Sequence, residues 1–185
     1  LSAHLCLTEA DVDMPTLPVF VLNNLAGGVP SVIPDADPRR PADFEPRRVY
    51  GQILTEGVTT SSGSPAFYER LAAWCEASDR QLPLRALFTG GAPVLPPLAA
   101  RLRDVVKGTA HVVYGSTEAE PIAGITADEM VTASAEGEGV CVGLPVSHVR
   151  LKIVRATDDA IELGDGGWAG WEVGEGDAGE IVVTG

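Results

Sequence analysis

Short apolar segments typical of β-strands alternate with amphipathic segments typical of helices between residues 29 and 114. The strand candidates are rich in apolar and β-branched residues, which favour extended backbone, and they cover residues 29–33, 58–61, 85–88 and 111–114. The helix candidates begin at a proline or directly after one, and they cover residues 47–56, 65–75 and 96–108. Because right-handed crossovers join parallel strands, the alternation predicts an α/β fold, a layered and mostly parallel sheet with flanking helices.

The pattern changes after residue 126. Three further strand candidates, residues 139–144, 149–155 and 179–183, follow one another without a long helix between them. Residues 127–136 are short and polar, and could form either a helix or a surface loop. We therefore expect an α/β subdomain over residues 1–126 and a smaller, antiparallel, barrel-like β piece over residues 127–185.

Two glycine turns follow neighbouring strand candidates. One turn contains Gly90 and Gly91, and the other follows Tyr114 and leads to Thr117 and Glu118. In open α/β sheets ligands bind beyond the carboxyl ends of the strands, where both turns are expected. The pattern offers a planar ring, exposed backbone amides and a carboxylate that suits magnesium bound with phosphate.

Charge and cysteine content exclude several classes of function. The 185 residues carry 26 acidic and 13 basic side chains, a formal net charge of −13, which disfavours nucleic acid and anionic membranes as partners. No apolar run is long enough to span a membrane, and the first residues lack the basic-then-apolar pattern typical of a signal peptide. The three cysteines lack paired or zinc-ligand spacing, so we expect reduced thiols and a cytoplasmic protein.

Three motifs, in order, resemble those of the adenylate-forming superfamily, which includes acyl-CoA synthetases, fatty acyl-AMP ligases, peptide-synthetase adenylation domains and luciferases. Residues 114–118, YGSTE, resemble its YGxTE motif. Residues 90–93, GGAP, resemble its adenine-binding turn, and residues 179–185, GEIVVTG, resemble its later GE(L/I)xVxG motif. The resemblance covers nearly the whole chain.

The resemblance implies ATP and Mg²⁺ as cofactors and a set of nucleotide-binding residues. Tyr114 would stack on adenine, Thr117 would bond the α-phosphate and Glu118 would hold the metal, which makes Thr117 and Glu118 the catalytic candidates. The nucleotide-binding candidates are Gly90, Gly91, Ala92, Pro93, Tyr114, Gly115, Ser116 and Thr117.

The resemblance also implies an acyl pocket. Residues 17–22, LPVFVL, resemble the family's PLFH region, where that pocket starts; the family's histidine is absent and Asn23 and Asn24 lie nearby. A buried strand-to-helix junction is an equally good interpretation of this segment. The candidate substrate-binding residues are Phe20, Asn24, Gly63, Ser64 and Gly91.

Within the superfamily, residues 118–123 (EAEPIA), 32–42 and 57–71 look most like the branch that holds olefin-pathway β-lactone synthetases and related fatty acyl-AMP/CoA ligases. This implies a fatty or 3-hydroxy fatty acid as substrate. The final acceptor stays open between coenzyme A, a carrier protein and an internal hydroxyl.

Several parts that the family needs for catalysis are absent from this sequence: a Lys-containing phosphate loop, a TGD motif and a C-terminal domain with its catalytic Lys. We therefore expect a fragment of a longer ligase, inactive alone and able to self-associate through exposed strands. Two alternatives are a folded, non-catalytic fragment with weak nucleotide affinity and a Rossmann-type dinucleotide binder. The absence of GxGxxG after the first strand counts against the second alternative.

Overall fold

The computed structural model describes residues 5–136 and 139–184. The chain divides into two compact units, the first ending at Leu144 and the second beginning at Pro145. In the described residues, no helix combines the length and the apolar character that crossing a membrane requires.

The first unit is built on a six-stranded sheet whose strands follow one another in chain order. The first four strands are parallel, and the fifth runs antiparallel to the fourth. This confirms the predicted α/β class with a mostly parallel sheet. The strands are β1 (Asp13–Pro15), β2 (Thr60–Gly63), β3 (Ala86–Thr89), β4 (Thr109–Tyr114), β5 (Ala123–Thr126) and β6 (Leu144–Pro145).

Within the part of the chain that the structure describes, five helices of ten or more residues accompany the sheet, and the first four begin with a proline. Proline suits this position because the first turn of a helix leaves its N–H groups unpaired and the ring fixes a helical φ. The helices are α1 (Pro18–Gly27), α2 (Pro46–Thr55), α3 (Pro65–Ala77), α4 (Pro96–Val105) and α5 (Ala127–Glu136).

Alternating strand residues pack on the two faces of the sheet. Leu87 and Val112 join the main core with apolar residues of α2, α3, α4 and α5. Their neighbours Phe88 and Val113 join a smaller core on the opposite face, with Phe20 of α1. The period of two along each strand therefore buries both faces, as expected for a parallel sheet covered by helices.

Two elements differ from the sequence-based prediction, and the structure decides a third that the sequence left open between helix and loop. Residues 29–33 form only a single bridge, between Ser31 and Asp13, because Pro30 and Pro34 lack the N–H groups that a longer ladder needs. Of the predicted strand at residues 139–144, only Leu144 belongs to a strand. The polar segment 127–136 is helix α5 rather than a loop.

Helix α5 also moves the boundary between the two units. Met130 is fully buried in the main core, where α5 packs against α4 and β4. The division therefore lies between Leu144 and Pro145, and not between residues 126 and 127 as the change of sequence pattern suggested.

The second unit contains an antiparallel pair, β7 (Arg150–Val154) and β8 (Glu180–Thr184), with Leu151 opposite Val183. An ion pair joins Lys152 to Glu172, and the Arg155 guanidinium lies 4.9 Å from the centre of the Trp171 ring. The predicted antiparallel piece is present, but its described residues form a two-stranded sheet and not a barrel.

Candidate functional site

The carboxyl ends of the four parallel strands meet at one edge of the sheet. Gly63, the last residue of β2, is in register with Thr89, the last residue of β3, and Thr89 is in register with Val112 of β4. The segments that follow, including the glycine turn at Gly90 and the loop at Gly115, therefore start at the same level of the sheet. This edge is the ligand-binding edge of open α/β sheets.

The first glycine turn packs directly against strand β4, just before the second turn begins. A Cβ placed on Gly90 would lie 2.5 Å from the carbonyl oxygen of Val113, closer than any side chain allows. The Gly90 N–H donates to the Gly63 carbonyl at 3.3 Å, which holds the turn on its other side. Only glycine lets the backbone approach this closely, so the turn is fixed between its two neighbouring strands.

A cavity of about 320 Å³ lies where the two turns meet, and we call it the glycine-turn cavity. Its walls are mostly apolar, and the half-buried Tyr114 is one of the residues that line it. The lining residues are Gly91, Ala92, Pro93, Val94, Leu95, Val112, Val113, Tyr114, Gly115, Met130, Val140 and Val142.

The loop after β4 folds back on itself. The Ser116 N–H donates to the Ala119 carbonyl at 2.9 Å, and the Ala119 N–H donates to the Ser116 carbonyl at 3.2 Å. The turn between them exposes Thr117 and Glu118. In the ranges 5–136 and 139–184, neither of these side chains makes a hydrogen bond or ion pair, so both are available to a ligand.

One exposed carboxylate fits magnesium better than zinc. Among the described residues, no group of three His, Cys, Asp or Glu side chains could hold a metal by itself. Magnesium is commonly bound by one or two carboxylates, with substrate phosphates and water completing its shell. Glu118 therefore suits a metal that enters together with a phosphate-bearing ligand.

A second cavity, of about 360 Å³, lies beside α1, and we call it the apolar cavity. The Cδ1 atom of Leu17 lies 3.6 Å from the position of a Cβ on Gly91, so Leu17 joins this cavity to the first glycine turn. The lining residues are Pro15, Thr16, Leu17, Pro18, Val21, Leu22, Ile33, Pro34, Ala36, Asp37, Pro38, Pro41 and Phe67.

Residues 16–185 match the family model described as AMP-binding enzyme. The chain belongs to the AMP-binding enzyme family. It is 39% identical over 181 residues to the olefin beta-lactone synthetase of Xanthomonas campestris, an alignment that covers 94% of this chain and 31% of that protein. A feruloyl-CoA synthase of Amycolatopsis sp. is 36% identical over 148 residues, covering 77% of this chain and 26% of that protein. The chain thus spans about a third of the length of such relatives.

Solved structures of this family share the fold. O-succinylbenzoate coenzyme A synthetase from Bacillus subtilis, in complex with AMP, matches all of this chain and 34% of its own, with a TM-score of 0.69 and 24% identity. A long-chain-fatty-acid-CoA ligase from Archaeoglobus fulgidus matches all of this chain and 36% of its own, with a TM-score of 0.70 and 21% identity. The resemblance inferred from the three motifs is confirmed.

Among the residues predicted to bind nucleotide, the structure brings Gly91, Ala92, Pro93, Tyr114 and Gly115 together around the glycine-turn cavity of this AMP-binding chain. Neighbouring positions 90 and 116–118 lie in the same two turns without lining the cavity, and 116–118 face solvent.

Two residues predicted to bind the acyl substrate lie elsewhere. Phe20 is buried against Phe88 and Val113 in the smaller core, and Asn24 is fully buried, donating hydrogen bonds to Asp13 at 2.9 Å and Ser31 at 3.0 Å. Neither residue lines either cavity of the AMP-binding unit. Their position in the chain suggested the pocket, but the rotation of α1 turns both side chains toward the sheet.

Gly63 and Ser64, which the sequence analysis assigned to substrate binding, both lie against Thr16. A Cβ on Gly63 would lie 2.0 Å from Oγ1 of Thr16, and the same oxygen accepts the Ser64 N–H at 3.1 Å. Thr16 in turn lines the apolar cavity. The glycine thus makes room for a wall residue that the sequence did not identify, and no local signal marks a threonine for this position.

A hydrogen-bond network centred on Asp11 lies at the amino ends of the same strands. Asp11 accepts hydrogen bonds from Arg85 at 2.8 and 3.0 Å, from Thr59 at 2.9 Å, and from the backbone and hydroxyl of Thr8. Burial by itself would raise the pKa of Asp11, but these hydrogen bonds, that from Arg85 first, outweigh it and lower the pKa to about 2. This network joins the segments that precede β1, β2 and β3.

Proposed function

We propose that this chain is the nucleotide-binding part of an ATP-dependent ligase that activates a carboxylic acid as an acyl-adenylate. The observation that supports this most directly is that residues from both glycine turns, Gly91, Ala92 and Pro93 from one and Tyr114 and Gly115 from the other, line one cavity. The cavity has the size and the mostly apolar walls of a small-molecule site.

The adenine ring would lie in the glycine-turn cavity. The backbone of Gly91, Ala92 and Pro93, which line the cavity, would face its edge, and Tyr114 would stack on its face. The phosphates would then extend toward the exposed loop, where Thr117 would donate to the α-phosphate and Glu118 would hold magnesium. When bound, the metal would neutralise charge on the phosphate oxygens.

The reaction joins the acid to AMP. A carboxylate oxygen forms a bond to the α-phosphorus while the bond from that phosphorus to the pyrophosphate oxygen breaks. A carboxylate is a weak nucleophile and the phosphate is negatively charged, so positioning and charge neutralisation supply most of the rate. The residues of this chain would accordingly act by binding and orientation, and form no covalent intermediate.

A fatty or 3-hydroxy fatty acid is the substrate that we propose. The apolar cavity next to Gly91 suits a hydrocarbon, and the relatives at 39% identity are named olefin beta-lactone synthetase. In the adenylate of a 3-hydroxy acid, the hydroxyl oxygen can attack the carbonyl carbon, lose its proton and release AMP, which closes a β-lactone. This makes an internal hydroxyl the preferred acceptor.

Coenzyme A is the second candidate acceptor, because two other relatives, 36% identical, are named feruloyl-CoA synthase. A carrier protein would use the same adenylate. We also propose a cytoplasmic location and self-association of the isolated chain. Light scattering that finds only monomer would contradict self-association.

The test has two parts. In the full-length protein, pyrophosphate release should require both ATP and a 3-hydroxy fatty acid, and AMP should appear together with a lactone rather than a thioester. Release that is independent of any acid would contradict the proposal. For the 185-residue chain, which we expect to be inactive alone, the proposal requires binding of ATP. Weak or absent ATP binding would favour the folded, non-catalytic alternative, and binding of NADH in place of ATP would favour the dinucleotide binder.

A further inference from the structure

The interior of the first unit contains a carboxylate that the proposed reaction does not use. Asp13 of β1 is fully buried, and none of the ion pairs among residues 5–136 and 139–184 includes it. We propose that Asp13 is a positioning residue for the nucleotide site, because it fixes the two segments that hold the first glycine turn. The inference rests on the proposed function, which assigns that turn to ATP.

Three side chains from two other elements donate hydrogen bonds to the Asp13 carboxylate. Thr60 and Ser62 of β2 donate through their hydroxyls at 2.9 and 2.7 Å. Asn24 of α1 donates through its amide at 2.9 Å. All three donors are fully buried. The carboxylate therefore ties β1, β2 and α1 together inside the protein.

The first connection to the glycine turn runs through β2. Ser62 directly precedes Gly63, whose carbonyl oxygen accepts the Gly90 N–H at 3.3 Å. The next residue, Gly91, lines the glycine-turn cavity. A shift of Ser62 would thus move the Gly63 carbonyl and, with it, the turn that would face adenine.

The second connection runs through α1. The hydrogen bond from Asn24 to Asp13 sets the rotation of this helix against the sheet. Leu17 caps the start of the same helix, and its Cδ1 atom lies 3.6 Å from the position of a Cβ on Gly91. Both connections end at the first glycine turn, so one buried carboxylate fixes this turn from two sides.

Stability alone does not account for this polar cluster. Asn24 donates to both Asp13 and Ser31, and its buried Oδ1 atom has no hydrogen-bond partner among the described residues. A buried carboxylate without a cation and an unpaired amide oxygen both cost free energy, and well-packed apolar residues often stabilise such a place more. Hydrogen bonds add direction, since they weaken steeply when their geometry changes.

The test compares two hydroxyls that make the same bond at different distances from the turn. Ser62→Ala and Thr60→Val each remove one buried donor to Asp13. Ser62 is next to Gly63, whereas Thr60 is the first residue of β2. In the full-length protein, we expect Ser62→Ala to raise the KM for ATP about fivefold, the equivalent of one hydrogen bond, and Thr60→Val to leave it within about twofold of wild type.

The KM for ATP separates positioning from loss of structure. Unfolded molecules reduce the amount of active enzyme but leave the ATP concentration for half-saturation unchanged, whereas a displaced turn raises it. Denaturant titration should show similar losses of stability in Ser62→Ala and Thr60→Val, because each loses one buried hydrogen bond. Equal KM values for ATP in these two variants would overturn the inference.

A second pair of variants makes the comparison at the carboxylate itself, and decides the inference if Ser62→Ala does not fold. Asp13→Asn keeps the size of the side chain but turns an amide toward the three donors, so the KM for ATP should rise by about fivefold or more. Asp11→Asn is the control, because it also breaks a hydrogen-bond network but at the amino ends of the strands. It should lower stability and leave this KM unchanged. The same KM in both variants would contradict the role of Asp13.

Calorimetric titration of the wild-type protein with ATP distinguishes this inference from the proposed function. A wild-type protein that binds no ATP would overturn the proposed function, and with it any role of Asp13 in ATP binding. A wild-type protein that binds ATP, with Ser62→Ala no weaker in ATP binding than Thr60→Val, would overturn the inference alone.

Discussion

The amino and carboxyl ends of the parallel strands differ in how their polar groups are paired. At the amino ends, Asp11 accepts five hydrogen bonds, and its partner Arg85 makes two of them. At the carboxyl ends, the buried hydroxyls of Ser64 and Thr89 have no hydrogen-bond partner among the described residues, and both cavities lie there. The polar groups at the amino ends are paired with one another and stabilise the fold. Those named at the carboxyl ends are unpaired, as expected of a binding edge.

The largest effect should follow from removing the free carboxylate at the carboxyl edge. Glu118→Ala in the full-length protein should reduce magnesium-dependent turnover by on the order of 10²-fold or more, because the charge near the reacting phosphate is lost. The unfolding midpoint should stay unchanged, since Glu118 is exposed. Steady-state kinetics measures the turnover, and denaturant titration measures the unfolding midpoint. Glu120→Ala, an exposed neighbour, is the control, and equal losses in both variants would remove the specific role of Glu118.

A methyl group at the contact between Gly90 and strand β4 should reduce both stability and binding. Gly90→Ala places its Cβ 2.5 Å from the Val113 carbonyl oxygen, so the strands must separate, and we expect a loss of about 2 kcal/mol in unfolding free energy. ATP affinity should fall with it.

Gly51→Ala is the matched control, because a Cβ there meets nothing within 4 Å. In helix α2 this change should stabilise the chain by about 0.5 kcal/mol. Urea titration compares the stability of the two variants. A Gly90→Ala chain as stable as wild type would show that Gly90 does not pack against the Val113 carbonyl oxygen.

Removing the Tyr114 ring should weaken nucleotide binding more than it lowers stability. Tyr114→Ala should weaken ATP binding about tenfold, within the range that stacking of a base on an aromatic ring supplies. Tyr114→Phe, which keeps the ring, should bind ATP nearly as well as wild type. Calorimetric titration of both variants tests the stacking role, and similar losses in both would assign the effect to the hydroxyl.

The smallest effect should appear at the amino edge and should depend on pH. The folded-state pKa of Asp11, about 2, lies below its ordinary value of 3.8, so the ionised form stabilises the fold. This contribution is complete above pH 3.8 and is lost as the pH falls through about 2. Because Arg85 is half exposed, we expect it to reach only about 1 kcal/mol.

Asp11→Asn should accordingly destabilise the chain at pH 7 and flatten the fall in stability between pH 4 and pH 2, as measured by urea unfolding across this range. Asp37→Asn removes a carboxylate of an exposed ion pair and should leave the unfolding midpoint unchanged. A steeper acid dependence in Asp11→Asn than in wild type would contradict the assigned sign.

Much of the site was predictable because its parts are local in sequence. The turns at Gly90 and Gly115 each follow a strand directly, so strand polarity alone places them at one edge. The apolar cavity was not predictable in this way. Its walls come from residues 15–22, residues 33–41 and Phe67, and only packing shows which of these side chains share a space.

Helix α1 shows why the remaining assignments failed. Its sequence is apolar almost throughout, so periodicity could not tell which residues face the sheet. Contacts with Asp13 and Phe88 decide that Asn24 and Phe20 turn inward, while Val21 and Leu22 turn to the cavity. The placement of α5 has the same cause, since the burial of Met130 depends on α4 and β4.

The sequence by itself determined the family, the parallel order of the strands and the two glycine turns, because each depends on short-range pattern and on steric limits of a few adjacent residues. Only the tertiary structure decided which side chains form the apolar cavity, where the first unit ends and which polar groups stay without partners. These properties arise from contacts between segments that are distant in the chain, and such contacts depend on packing that no local pattern encodes.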